Sequence, residues 1–524
     1  MNKLPYRKIF GAIVVLLLIC ETTLAQYNTK IDILKGEKWW GVFVGGDQLM
    51  PLEEPFPQTD LSVWTRSNAV PFLVSSRGRY IWSKTPFKIE FTGDTFLIDS
   101  PMEEVEAITG GKTLREAYLV CCHKNFARDE NDDKTPAPEF FTAPVYDLRA
   151  IMPFGISADE IRNYIQTILT AGYPAGTLII PSGWQSTIGS FTPDLSLYGN
   201  FDSLVEEIHA RGFRIMLTVT PFVSGDGPIY RAYRNSNAFV KLSDGRTAMA
   251  EWAGGYSAFY DITRDNVFSM LHDHLVALHD SLNVDGYLFD SKDALPYARF
   301  AYAGAAEFLK KWSELGLGFP LCEYTICSSK GFVPYLHDLQ INRGLDWTFL
   351  KQAVSNIMTA NLLGYPYSTV SIDPRMPADS LLANPTLLLR YFQLSIALPV
   401  TVINFAPWAA NDPAIAAQCK TAFAQREKIG AYYNQLIQES IRTGEPIVRH
   451  MEYEFPRNGF TDCNDQFMIG SKYLVAPLLE ASNSRTVRFP RGIWISPKGE
   501  RIKGPVVKPF TSEQGEILIF ESAK

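Results

Sequence analysis

Apolar and polar residues alternate in three ways along this chain, and the changes mark out its regions. Over residues 26–140 the apolar positions come in short runs. Trp40-Gly41-Val42-Phe43-Val44 ends in a glycine pair, and Phe87-Lys88-Ile89-Glu90-Phe91 and Thr95-Phe96-Leu97-Ile98-Asp99 flank Gly93. Alternation with glycine turns predicts antiparallel strands, here a β-sandwich. Asn125 to Pro138 is polar and proline-containing and reads as a loop or linker. Over 141–440, amphipathic helical stretches alternate with short apolar runs. The runs are Ala143–Tyr146, Gly176–Ile180, Phe213–Thr220, Asp285–Asp290, Phe319–Tyr324, Leu339–Arg343, Ser368–Ile372 and Val400–Phe405. Helices are expected over Ala158–Thr170, over Phe201–Arg211 and around Val267–Leu278. Such alternation predicts a parallel sheet closed into a (β/α)8 barrel. Ser224–Asp261, between the third and fourth runs, reads as an insertion over the active-site face. Over 441–524 the pattern returns to strands, at Lys472–Pro477, Thr486–Phe489 and Gly515–Phe520. The expected fold class is therefore α/β: a (β/α)8 TIM barrel flanked by an N-terminal β-sandwich and a C-terminal β domain.

The chemistry concentrates at Val284-Asp285-Gly286-Tyr287-Leu288-Phe289-Asp290-Ser291-Lys292-Asp293. This is a buried strand that stops on a carboxylate. The C-terminal end of a barrel strand faces the active site, so Asp290 is a catalytic candidate. The alternative is that Asp290 or Ser291 caps the following helix.

Residues 1–25 read as a secretory signal and place the protein in the periplasm or outside the cell. Lys3, Arg7 and Lys8 precede an apolar stretch from Ile9 to Ile19, and Thr23-Leu24-Ala25 resembles a cleavage site. No later stretch is long enough for membrane insertion. The net charge of −7 leaves no basic footprint for nucleic acid. Six cysteines follow the signal: Cys121, Cys122, Cys322, Cys327, Cys419 and Cys463. Their spacing forms neither a disulfide framework nor a zinc site. The sequence leaves the oligomeric state open.

Several ordered blocks resemble the retaining α-glycosidases of glycoside hydrolase family 31. They are Ala171-Gly-Tyr-Pro-Ala-Gly-Thr-Leu-Ile-Ile180 with Trp184-Gln185, Arg211–Ser224, Gly255-Tyr-Ser257 with Asp261, Asp285–Asp290, Ala406-Pro-Trp408, Gly444–Arg449, and Asp465–Gly470 with Leu474–Pro477. The resemblance implies hydrolysis through an oxocarbenium-like transition state. One carboxylate attacks the anomeric carbon, and a carboxylic acid about 5–5.5 Å away protonates the leaving oxygen. It implies Asp290 as nucleophile and Asp346, in Arg343-Gly-Leu-Asp346-Trp347, as acid/base. Trp184, Trp252 and Trp408 are candidate pocket walls or core residues. Asp293 either bonds a sugar hydroxyl or sits in a helix's first turn. Arg343 either contacts sugar or forms an ion pair, and Glu323 either reaches the site or is a solvated charge. Lys292 and Asp373 complete the candidate substrate-binding set. The expected partner is an oligosaccharide or glycoside, with no cofactor and no metal.

Two departures bear on the sugar. Family members usually end the second strand with a pair of aspartates, and here Pro181-Ser182 stand there. Loss of those carboxylates removes strong charge-assisted hydrogen bonds to a glucose-type ring. Ser291-Lys292 follow the nucleophile where small residues are usual. At the seventh strand, either Ser371 or Asp373 holds a position where relatives carry aspartate. The block pattern resembles the α-galactosidase branch, so an α-galactosidase is expected. The alternatives are an α-glucosidase, α-xylosidase or α-N-acetylgalactosaminidase, a transglycosylase, or an inactive carbohydrate-binding homologue.

Overall fold

The structure, a computed structural model, describes residues 27–44, 49–54, 56–62, 68–126, 136–152, 155–252, 254–327, 336–339, 345–372, 384–410 and 412–523. The signal read at 1–25 lies outside them.

The N-terminal region is a sandwich of two four-stranded antiparallel sheets. One contains Tyr27–Asp32, Thr95–Ser100, Lys88–Phe91 and Phe56–Asp60; the other contains Trp39–Val44, Asn68–Ser75, Arg79–Trp82 and Ala107–Thr109. Trp39 meets Phe96 edge-on at 5.5 Å across the two layers, a favourable aromatic geometry that fixes their spacing. The expectation of strands here did not include the helix Leu114–Asn125. Its buried residues Leu114, Ala117, Tyr118, Cys121 and Cys122 recur at helical spacing, and Thr113 caps it by accepting from Glu116 N–H.

The barrel strands are Val145–Asp147, Thr177–Ile180, Arg214–Val219, Gly286–Phe289, Leu321–Tyr324, Leu336–Asp338, Ser368–Thr369 and Val402–Ile403. They form one parallel eight-stranded sheet in which each strand pairs with the next, and the eighth returns to the first. At the remaining seam, between seventh and eighth strands, Thr369 Oγ1 donates to Val400 O (2.8 Å) and Asn404 Nδ2 donates to Ile372 O (2.8 Å). The sixth strand corrects the expectation: it ends at Asp338 instead of starting at Leu339. Its Leu-His-Asp sequence is too short and too polar to stand out as an apolar run. Gly286 is required in the fourth strand, because a Cβ there would lie 1.8 Å from Leu321 O.

The helix Ala158–Thr170 opens on a capping box between Ser157 and Glu160. The insertion forms a three-stranded antiparallel sheet of Phe222–Ser224, Gly255–Phe259 and Ala250–Trp252. Buried Asp261 ties its end to the loop after the fourth strand by accepting from Tyr302 N–H (3.0 Å). A six-stranded sheet closes the C-terminal region. Phe489, Trp494 and Phe520 lie in a separate small core beneath it.

The helix Trp347–Leu362 is buried on nearly every side. Ser355 Oγ accepts from Met50 N–H of the sandwich, and Asn361 Oδ1 accepts from Ile447 and Val448 N–H ahead of the C-terminal sheet. The helix carries buried polar residues, Ser355 and Asn361 among them, and through these bonds it joins the barrel to both flanking regions. Among the described residues no helix is long and apolar enough to cross a membrane. The six cysteines named above are all buried.

Candidate active site

The C-terminal ends of the barrel strands bring distant polar residues together. Asp147 ends the first strand, Asp290 follows the fourth, Thr325 follows the fifth and Asp338 ends the sixth. Arg149, two residues beyond the first strand, sits among them and is only 6% exposed in its side chain. Its guanidinium binds Asp147 through two bonds, Nε to Oδ1 (2.9 Å) and Nη2 to Oδ2 (2.8 Å). Its Nη1 donates to Asp290 Oδ2 (3.3 Å), and Nη2 lies 3.6 Å from Asp338 Oδ2. Such a planar fork meets several carboxylates at once, which an ammonium does less well. Burial alone lowers the guanidinium's pKa. The charges of Asp147, Asp290 and Asp338, with the Asp147 hydrogen bonds, outweigh that and raise it overall.

Asp290 has a donor on each oxygen: Arg149 on Oδ2, and Thr325 Oγ1 on Oδ1 (3.0 Å). Its side chain is 27% exposed while Asp147 and Asp338 are fully buried. It is therefore the member of the cluster that a ligand can reach. Its backbone N–H donates to Val219 O (2.8 Å), continuing the strand pairing and fixing where the side chain emerges. The helix-cap reading of Asp290 is set aside, since both oxygens serve the cluster. Ser371 Oγ donates to Asp338 Oδ2 (2.5 Å). Of the two residues considered at the seventh strand, Ser371 faces the cluster, and Asp373 lies outside the described residues.

The other expected residues divide. Trp184 is fully buried and its indole N–H donates to Thr218 O (2.9 Å). This corrects the pocket-wall expectation, because a ring with no exposed face packs core. Trp408 is half-buried against Tyr146, Tyr164 and Tyr173, at centroid distances of 6.4, 5.8 and 5.3 Å. Tyr146 is in the first barrel strand and Tyr164 in the helix Ala158–Thr170, so Trp408 also packs structure. Trp252 is half-buried on the insertion, stacked on Phe222 at 4.6 Å. Lys292 and exposed Asp293 lie in a short 3-10 turn after the fourth strand. Glu323 is wholly buried inside the barrel, which corrects both readings of it as a group in contact with sugar or solvent. Asp346 is exposed and caps the buried helix, accepting from Phe349 N–H (2.6 Å). Arg343 lies outside the described residues.

Asp147, Arg149, Thr325 and Asp338 were not among the expected site residues. The signal for Asp147 and Asp338 was the one used for Asp290, a carboxylate where a barrel strand stops. Among the described residues no group of carboxylate, histidine and cysteine side chains is arranged to hold a metal.

A (β/α)8 barrel with charge gathered at its strand ends has the layout of a barrel enzyme: chemistry at the C-terminal face, packing below. Comparison with known proteins narrows this. Residues 150–320 match the glycosyl hydrolases family 31 TIM-barrel domain, and 444–520 match the glycosyl hydrolase family 31 C-terminal domain. The chain belongs to glycoside hydrolase family 31. A myogenesis-regulating glycosidase of Mus musculus is 25% identical over 425 residues, covering 75% of this chain and 59% of that protein. The lysosomal alpha-glucosidase of Bos taurus is 24% identical over 402 residues, covering 65% of this chain and 42% of its own length. The chain thus spans about half the length of the curated relatives it matches. Among solved structures, a Flavobacterium johnsoniae dextranase complexed with glucose superposes with a TM-score of 0.81 at 16% identity, over 95% of this chain and 66% of that one. An alpha-xylosidase from a soil metagenome, complexed with xylose, gives 0.79 at 17% identity over 95% and 79%.

Proposed function

We propose that the chain is a retaining α-glycosidase that releases terminal α-linked sugars, α-galactosides first among them, through a covalent bond to Asp290. The observation that carries this reading is the Asp290 carboxylate: partly exposed at a strand end, with a donor holding each oxygen. In the first step Asp290 attacks the anomeric carbon while an acid protonates the departing oxygen. In the second, water attacks the same carbon, losing its proton to that acid's conjugate base. Two inversions restore the α configuration. Loss of the acidic pair at Pro181-Ser182 supports a ring other than glucose. The names of several relatives, alpha-glucosidase and alpha-xylosidase, favour glucosides or xylosides as the second reading.

The test is release of nitrophenol from a panel of α-linked nitrophenyl glycosides, with the first-formed anomer followed by NMR. Cleavage of the galactoside with the α anomer appearing first is the expected result. Cleavage of the glucoside or xyloside alone moves the specificity. A chain that binds sugars and cleaves none is a binding protein.

We assign Asp346 as the acid/base. Its capping bond offers a way to test this independently of folding, because asparagine caps a helix about as well as aspartate. Asp346→Asn is therefore expected to melt like wild type while losing on the order of 10²–10⁴ in turnover, the usual worth of general acid catalysis. A leaving group that needs no proton should be affected least. Wild-type turnover in this variant on a poor leaving group removes Asp346 from the mechanism and leaves it as a cap.

A further inference from the structure

Beneath Asp290 lies a carboxyl group that the mechanism does not use. In the strand register Glu323 stands opposite Leu288 of the fourth strand and Leu336 of the sixth. Residues two apart on a strand share a face. Asp290, Thr325 and Asp338 are each two residues beyond Leu288, Glu323 and Leu336, so they form one layer and Glu323 lies in the layer directly below. Glu323 is fully buried, and among the described residues neither of its carboxyl oxygens has a hydrogen-bond partner.

The groups facing it are Asp338 from the sixth strand, Arg149 and Asp147 from the first, and Asp290 from the fourth. Among the described residues, Arg149 is the cation seen in contact with three of these carboxylates. Four carboxylates around it, three of them wholly buried, cannot all be ionised, because burial of an unpaired charge is costly. Asp147 and Asp290 take Arg149 donors and Asp338 takes the Ser371 hydroxyl. Glu323 takes none.

We infer that Glu323 is a neutral carboxylic acid in the floor of the site, carrying the cluster's proton while Asp147, Asp290 and Asp338 face Arg149. It is a positioning residue. Ionised, it would place a second negative charge under Asp290 and compete with it for Arg149; neutral, it leaves that attraction to the nucleophile. Burial raises its pKa well above the carboxyl range; the charge of Asp338 raises it further, Arg149 opposes, and Asp147 and Asp290 add smaller increments. The inference deepens the glycosidase reading and rests on it for the role of Asp290.

A raised pKa also sets the sign of a pH effect on stability. The contribution of Glu323 is fully present below the ordinary glutamate value, about 4.3. It is lost as pH rises through the folded-state value.

The experiment is infrared difference spectroscopy of wild type against Glu323→Gln at neutral pH, with thermal melts across pH. The expected result is a protonated-carboxyl carbonyl band in wild type that is lost in Glu323→Gln. Wild type should also lose melting temperature relative to the variant as pH rises from acid to alkaline. Should Glu323→Gln fold poorly, wild type and Asp338→Asn provide the readout: removing the largest neighbouring charge shifts disappearance of the band to lower pH. Absence of the band in wild type at neutral pH, or its persistence in Glu323→Gln, overturns the inference. None of these measurements requires turnover, so a chain that cleaves no glycoside overturns the glycosidase reading and leaves this result standing on its own.

Discussion

Asp290→Asn is expected to remove roughly four to six orders of magnitude from kcat/KM, the scale of losing a catalytic nucleophile. The substitution keeps the side chain's size and leaves its amide oxygen able to accept from Thr325 Oγ1, which now bonds Oδ1 at 3.0 Å. Its failure would therefore be chemical: an amide lacks the charge that forms the glycosyl ester. A smaller variant makes the same point in the opposite direction. Asp290→Ala opens space beside the anomeric carbon, and added azide should enter there and restore turnover of a substrate with a good leaving group. A single displacement on an α-glycoside inverts the centre, so the product should be the β-glycosyl azide. Near-wild-type turnover in Asp290→Asn would remove the carboxylate from the mechanism. An α-azide from Asp290→Ala would mean that another group still forms a covalent intermediate.

The barrel was legible wherever a strand carries a continuous apolar run. Leu178-Ile179-Ile180 and Tyr287-Leu288-Phe289 are buried on both faces of the sheet, so both sides of the strand had to be apolar. The sixth strand was displaced because Leu336-His337-Asp338 gives up two of three positions to polar residues. The helix Leu114–Asn125 was hidden by its place at the end of a strand-rich region, although its own spacing is helical. Asp290 stood out because it follows an uninterrupted apolar run beginning at Gly286. Asp147 carries the same mark on a weaker strand. Arg149 had no local signal: only closure of the barrel brings it between the first, fourth and sixth strands. The tryptophans show the converse limit. Sugar platforms and core rings look alike in sequence, and burial places Trp184 in the core.

Arg149→Met should strongly destabilise the barrel. Methionine approximates the length and removes the charge. Asp147 would then sit fully buried without the two bonds at 2.9 and 2.8 Å that meet it, and Asp338 would lose its cation as well. Removing one partner of a buried ion pair costs about 3–5 kcal/mol, because the remaining charge stays desolvated. Denaturant unfolding should show a lower midpoint with little change in slope, the unfolding free energy falling by that amount. Arg149→Lys restores charge without the planar fork, so it should recover part of the stability and hold Asp290 poorly, with kcat falling more than KM changes. A double variant with Asp147→Asn separates the terms. If repulsion among unpaired carboxylates dominates, neutralising Asp147 in the Arg149→Met background recovers much of the loss, and the cycle gives a large coupling energy. An Arg149→Met protein that unfolds at the wild-type midpoint would mean the carboxylates can take up protons at little cost. The charge balance inferred for Glu323 would then have to be redrawn around a cluster that shares its protons more widely.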